Sequence, residues 1–321
     1  MLYIKEVDVD RLLTFKDAAA AIEEAFKLWA SNEAVNLPRV RVLTHNAVLN
    51  ILPGALLGDY KVAGLKAYLT TEFKEPFIVL LFSLESGDLL AIIEGDRFTQ
   101  IRTAATSVIA TKYMAKPNPE IISIIGSGKQ AKAHFEAFAE VFNPKLFKVI
   151  SKSREHAENF AKFIKSRGFD AVVVNSYEEA CKADVLITAT NSKEPFIKGS
   201  CLPEGIHINA IGSNWHDRAE LMPDAVLRAD IIAVDDINQA KYEAGDLIMA
   251  GPAIWNKVVP LMHIVIGKIK ARTDNEKEIT LFKSIGIAIE DVATAWLVYS
   301  KAIKEKVGTY IDFKGIYNLT Y

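Results

Sequence analysis

The stretch Ile121-Ile122-Ser123-Ile124-Ile125-Gly126-Ser127-Gly128-Lys129-Gln130-Ala131 runs from an apolar strand through G-x-G-x-x-A into a helix-forming segment. Each small residue has a role in a phosphate-binding turn. Gly126 permits the tight strand-to-helix turn, Gly128 lets the backbone approach a pyrophosphate, and Ala131 lets the helix sit close on the strand. The start of the helix adds unpaired N–H groups and the positive end of its dipole. The six-residue pattern is weak alone and gains weight from its setting, a strand before it, a helix after it and further apolar strands at crossover spacing.

Working outward, the chain from Glu120 onward alternates strand and helix, the pattern of a doubly wound parallel sheet. Strands are predicted at Ile121–Ile125, Phe147–Ser151, Ala171–Asn175, Val185–Thr188, His207–Ile211 and Ile231–Val234. Helices are predicted at Ala131–Phe142, Arg154–Arg167 and Ser176–Lys182. Before this region an α+β domain is expected, with a helix over Phe15–Ser31, short strands between Arg39 and Ile93, and a helix over Arg97–Met114. Lys116-Pro117-Asn118-Pro119 ends that helix, since proline cannot continue it. A final helix over Gly286–Lys306 is long enough to return to the first domain. The expected division is therefore 1–115 plus about 300–321 for the α+β domain and 116–299 for the nucleotide fold.

Composition narrows the function classes. The 321 residues are half apolar, with a formal net charge of −2, so neither nucleic acid nor an anionic membrane surface is favoured as a partner. No stretch has the length of a membrane span, and the N-terminus lacks the regions of a signal peptide. A cytoplasmic protein is expected. Cys181 and Cys201 are too far apart for a C-x-x-C motif, and the six histidines have no metal-site spacing. No metal is expected.

The second strand of the nucleotide fold bears on the choice of cofactor. An acidic residue there, about 20 residues past the glycines, takes the ribose hydroxyls of NAD. This chain instead has Ser151-Lys152-Ser153-Arg154, two hydroxyls and two cations that suit a 2′-phosphate. NADP(H) is expected in preference to NAD(H), the alternative being that the cations open a solvated helix. In the first domain Arg39, Arg41, Lys66 and Arg102 each stand among small or apolar neighbours. A lysine in an apolar strand loses its hydration unless it meets an anion, so Lys66 is a candidate cleft residue. Thr103-Ala104-Ala105-Thr106 after Arg102 offers a small-residue surface for close approach.

In order along the chain, Pro38-Arg39, Leu52-Pro53-Gly54, Gly64-Leu65-Lys66, Ile101-Arg102-Thr103-Ala104-Ala105-Thr106, the glycine turn, His207-Ile208-Asn209-Ala210-Ile211-Gly212, Arg218-Ala219-Glu220-Leu221 and Thr280-Leu281-Phe282-Lys283-Ser284-Ile285-Gly286 resemble the ornithine cyclodeaminase and mu-crystallin family. That family includes archaeal alanine dehydrogenases and reductases of cyclic imino acids. The resemblance implies an α/β protein, a Rossmann-type doubly wound parallel sheet plus an α+β substrate-binding and dimerisation domain, with the reaction in the cleft between them. It also implies a homodimer. Arg39, Lys66 and Arg102 correspond to ligands of the substrate carboxylate, with Arg41 competing for the place of Arg39. Arg102, Thr103, Gly126, Ser127, Gly128, Lys129, Gln130 and the segment Ser284 to Gly286 would line the cofactor.

Two departures bear on the substrate. Where ornithine cyclodeaminases carry an aspartate for the second amino group, this chain has Asn214, a neutral amide, with Asp217 nearby. The segment Ala67–Pro76 is also shorter than in several relatives. The implied function is reduction of a small α-imino acid such as 1-pyrroline-2-carboxylate to an L-amino acid, with Lys66 as proton donor and Asn214 as a neutral hydrogen-bonding partner. The rivals are an alanine or other amino-acid dehydrogenase, an ornithine cyclodeaminase, which Asn214 disfavours, and a non-catalytic protein that binds NADPH and a small ligand.

Overall fold

The computed structural model describes residues 1–272 and 276–315. The chain divides into two compact units, Met1–Arg102 with Ile287–Tyr321, and Thr103–Gly286. The divisions thus fall inside helix Asp96–Met114 and before helix Ala288–Glu305, rather than at 115 and about 300. The later part of Asp96–Met114 is bonded into the second unit, where Thr111 Oγ1 accepts from Asn209 and the Met114 carbonyl from Thr280. Of the segment 300–321 assigned to the first domain, 316–321 lie outside the described residues.

The first unit is built on a sheet of β1 (Leu2–Ile4), β2 (Ala34–Asn36), β3 (Val40–Leu43), β4 (Ala47–Leu56), β5 (Val62–Thr71), β6 (Phe77–Ser83) and β7 (Leu89–Glu94). The order is a terminal strand Thr309–Tyr310, then β1-β7-β6-β5-β4-β2, with β3 also on β4. All pairs are antiparallel except β1 with β7. Alternation along β5 buries Val62, Gly64, Lys66 and Tyr68 on one face. Helix Ala288–Glu305 packs on β4, β5 and β6, helped by Gly54, where a Cβ would stand 2.9 Å from that of Ala288. The first N–H groups of this helix have no side-chain cap of their own, and Asn36 Oδ1 on β2 accepts from Ala288 N and Ile289 N at 2.9 and 3.3 Å. Helix Asp96–Met114 likewise opens on the Glu6 carboxylate, which accepts from Asp96 N and Arg97 N.

The second unit holds the Rossmann-type sheet: β8 (Ile121–Ile125), β9 (Leu146–Ile150), β10 (Ala171–Val173), β11 (Val185–Thr188), β12 (His207–Ala210), β13 (Ile231–Val234), β14 (Val258–Pro260) and β15 (Thr280–Lys283). The order is β10-β9-β8-β11-β12-β15-β13-β14, parallel throughout. The six predicted strands are present within two residues of their expected ends, and β14 and β15 are additional. Every residue of β15 is buried, so it shows no alternation, and Thr280 and Lys283 dilute its apolar run. Edge-on phenylalanine contacts of Phe135 with Phe147, Phe160 and Phe163 fasten helices Lys129–Phe142 and Arg154–Ser166 to β9. The strand order reverses between β8 and β11, which opens a crevice at their carboxyl ends.

Candidate active site

That crevice is a cavity of about 1320 Å³ lined by the ends of β8, β9, β11 and β12, including Gly126, Ser127, Gly128, Lys129, Gln130, Ser151, Lys152, Ser153, Thr190 and Gly212. Gly126 sits at φ +117°, and a Cβ there would come within 2.4 Å of the Ala189 carbonyl oxygen. Only glycine fits that turn. Around Gly128 the place of a Cβ is open, and Gly128 caps helix Lys129–Phe142 with no side-chain hydrogen bond of its own. An open backbone approach to the N-terminal N–H groups of a 14-residue helix fits the pyrophosphate of a dinucleotide.

A carboxylate holds this floor from below. Glu220, fully buried, accepts at Oε1 from Thr190 N and Thr190 Oγ1, both at 2.7 Å. At Oε2 it accepts from Thr188 Oγ1 at 2.6 Å and Gly212 N at 2.9 Å. Burial and nearby Asp246 push its pKa up, while Lys283, Thr188 and Thr190 oppose them. Lys283 is itself buried, paired with Asp246 at 2.8 Å and donating to the Ser213 carbonyl at 2.7 Å. The loop bearing Asn214 is thereby fastened at Gly212 and Ser213.

The first unit gathers a second cluster on the buried face of its sheet. Lys66, 1% exposed, donates to Asp291 Oδ1 at 2.9 Å. Arg102 pairs with the same oxygen through Nε at 3.0 Å and with Glu290 Oε2 through its terminal nitrogen at 3.0 Å. Lys66 Nζ stands 6.0 Å from the centre of the Tyr68 ring. Burial, followed by the Arg102 charge, lowers the Lys66 pKa to about 7; Asp291 works against both, and Arg39 lowers it further. Arg39 is buried and its charge is felt at Lys66, whereas the half-buried Arg41 donates through Nε to Asn50 Oδ1 at 3.1 Å. Three cations, Arg39, Lys66 and Arg102, meet the carboxylates Glu290 and Asp291 in this cluster, an excess that suits an anionic guest.

The structure thus brings Arg39, Arg41, Lys66 and Arg102 together in one unit and the glycine turn with Ser151, Lys152 and Ser153 in the other. Thr103, Arg154, Ser284 and Gly286 do not line the nucleotide cavity. Ser284 and Gly286 are held instead by Asp235, whose Oδ2 accepts from Ser284 Oγ at 3.3 Å and Gly286 N at 2.7 Å. Asn214 is half-buried and Asp217 exposed on the loop after β12. Sequence reasoning missed Glu220, Glu290 and Asp291. Two adjacent acids in the first turn of a helix whose first half is otherwise uncharged were the available signal for the last pair. Among the described residues no His, Cys, Asp and Glu group is arranged to hold a metal, and no helix is long and apolar enough to cross a membrane.

The ornithine cyclodeaminase/mu-crystallin family model matches residues 1–306. The chain is 34% identical to an alanine dehydrogenase of Archaeoglobus fulgidus over 97% of its own length and 98% of that protein. Among solved structures it resembles Thermococcus litoralis Δ1-pyrroline-2-carboxylate reductase in complex with NADH and L-proline, at 33% identity and TM-score 0.91 over 97% of this chain and 100% of that one. It also resembles an archaeal alanine dehydrogenase dimer with bound NAD, at 32% identity and TM-score 0.91 over 98% and 99% of the two chains.

These findings overturn the expectation of NADP(H), since both solved relatives hold the nucleotide without a 2′-phosphate. The physical reason lies in the hydrogen bonds at the end of β9. Arg154 donates to Glu158 at 2.9 Å and to Asn175 and stays outside the cavity. The Ser153 hydroxyl caps helix Arg154–Ser166 by accepting from His156 N, and Ser151 pairs with Ser127 at 3.0 Å. Three of the four groups expected to read a phosphate are thus engaged within the protein.

Proposed function

Because this chain belongs to the ornithine cyclodeaminase/mu-crystallin family, we propose that it is an NAD(H)-dependent oxidoreductase that reduces a small α-imino acid, such as 1-pyrroline-2-carboxylate, to the L-amino acid. The observation that carries this reading is the buried Lys66 ammonium, ready to give up a proton near pH 7 among cations that suit a carboxylate. Arg39 and Arg102 hold the substrate carboxylate, for which a planar guanidinium fork is well shaped. Glu290 and Asp291 orient the Arg102 fork. Lys66 gives its proton to the imine nitrogen as the C=N bond is reduced and is left as the neutral amine. Gly126, Ser127 and Gly128 with the start of helix Lys129–Phe142 would hold NADH, which would supply the hydride for the carbon. Asn214, a neutral amide, offers no counter-charge to a second ammonium and so disfavours diamino acids.

The test is steady-state reduction of 1-pyrroline-2-carboxylate with NADH by the wild type and Lys66→Ala. Loss of turnover in the variant is expected, and an unchanged rate removes Lys66 from the mechanism. The long match to an alanine dehydrogenase favours a second reading, reductive amination through a bound imine. Pyruvate plus ammonium with NADH discriminates, and turnover there faster than on the cyclic imine selects the dehydrogenase. A homodimer accords with the archaeal dimer and with a cavity of about 390 Å³ on the first unit lined by Leu49, Leu69, Phe77, Ile78 and Ile92. Sedimentation at the monomer mass contradicts it.

A further inference from the structure

We propose that Asp291 is the positioning residue for Lys66, its buried carboxylate holding the lysine as the ammonium that hands a proton to the substrate nitrogen. The proposal rests on the imino-acid reductase reading. Asp291 is fully buried and brings one oxygen to both Lys66 Nζ at 2.9 Å and Arg102 Nε at 3.0 Å. Its other oxygen has no hydrogen-bond partner among the described residues. Asp291 is the carboxylate hydrogen-bonded to Lys66. From the segment before β3 comes Arg39, from helix Asp96–Met114 comes Arg102, and from β5 itself comes the Tyr68 ring. The paired positions on β4 and β6 are Leu52 and Val79, both apolar. Glu290, the neighbouring acid, is engaged by Arg102.

Arg39 and Arg102 repel a charged lysine, Leu52 and Val79 cannot solvate it, and the Tyr68 ring at 6.0 Å offers only a weak cation–π attraction. Desolvation and two nearby guanidinium groups drive the proton off, and Asp291 opposes them through both its charge and its hydrogen bond. A carboxylate in the first turn of an 18-residue helix also stands where an anion is favoured. Such a group of buried ions does little for stability, because the cost of desolvation offsets the mutual attraction. It does determine which protonation state the lysine presents. Removal of the Asp291 charge takes away the hydrogen-bonded anion that opposes burial and the Arg102 and Arg39 charges, so the neutral form of Lys66 prevails at pH 7.

The test follows the Lys66 ε-methylene carbon by NMR against pH in the full-length protein, its signal identified by its absence in Lys66→Arg. A midpoint near 7 is expected in the wild type, displaced downward by about one unit or more in Asp291→Asn. Asp291→Glu, which keeps the charge, returns the midpoint toward the wild-type value and serves as the second variant if Asp291→Asn folds poorly. The high-pH limb of kcat/KM for imine reduction is expected to move with the midpoint. An unmoved midpoint overturns the proposal, as does a moved midpoint with an unmoved limb. A wild type that reduces no imino acid refutes the reductase reading instead, while the NMR midpoint reports the Asp291–Lys66 coupling by itself.

Discussion

Replacement of Glu220 by glutamine, which changes one atom and leaves the volume intact, tests how far the nucleotide cavity depends on a buried carboxylate. The native side chain accepts four hydrogen bonds, two at each oxygen, from Thr188, Thr190 and Gly212. The amide keeps one oxygen and points an NH2 group at two donors, so two charge-assisted bonds are lost at roughly 1.5–3 kcal/mol each. Relief of the buried charge, whose cost shows in the raised pKa of Glu220, returns part of that. A net loss of about 2–4 kcal/mol is expected. For a unit of this size that lowers Tm by roughly 5–12 °C. Thr190 and Gly212 also line the cavity, so NADH affinity is expected to fall about tenfold, equivalent to 1.4 kcal/mol. Scanning calorimetry and quenching of protein fluorescence by NADH measure the two effects. A variant that melts within about a degree of the wild type, against the roughly 5 °C minimum expected, and binds NADH equally well refutes the reasoning.

Two further outcomes are expected. Arg154→Ala should change the NADH dissociation constant by less than about threefold, since Arg154 is spent on exposed contacts with Glu158 and Asn175; a tenfold loss in a fluorescence titration would place its guanidinium on the nucleotide. Burial holds His134 down to about 4, and burial with Arg272 holds His207 down to about 3, both from an ordinary 6.5. Below pH 6.5 the unfolded chain takes up protons that the folded sites refuse, so stability is full above 6.5 and falls toward pH 4 for His134 and pH 3 for His207, by about 3 and 5 kcal/mol respectively. Urea unfolding at pH 7 and pH 4.5 measures this, and His134→Gln should remove roughly half of the difference, leaving the His207 share; a variant that tracks the wild type at both pH values would contradict it.

The sequence by itself determined the parallel nucleotide fold, because a strand, two spaced glycines and a helix start form a local unit whose geometry is written in adjacent residues. It also singled out Lys66 and Arg102, since a cation among apolar neighbours needs an anion. Which anion it meets was decided only by the tertiary structure, which carries Asp291 to Lys66 across 225 positions of chain. The fully buried β15 was hidden for the same kind of reason, since burial on both faces erases the alternation by which a strand is read. The cofactor expectation failed on this point as well. Four polar side chains in a row look like a phosphate site until Glu158, Asn175, Ser127 and a helix terminus take the hydrogen bonds of three of them. Chemistry that depends on neighbours in sequence is legible from the sequence, and chemistry that depends on who occupies a donor or acceptor in space is decided by the fold.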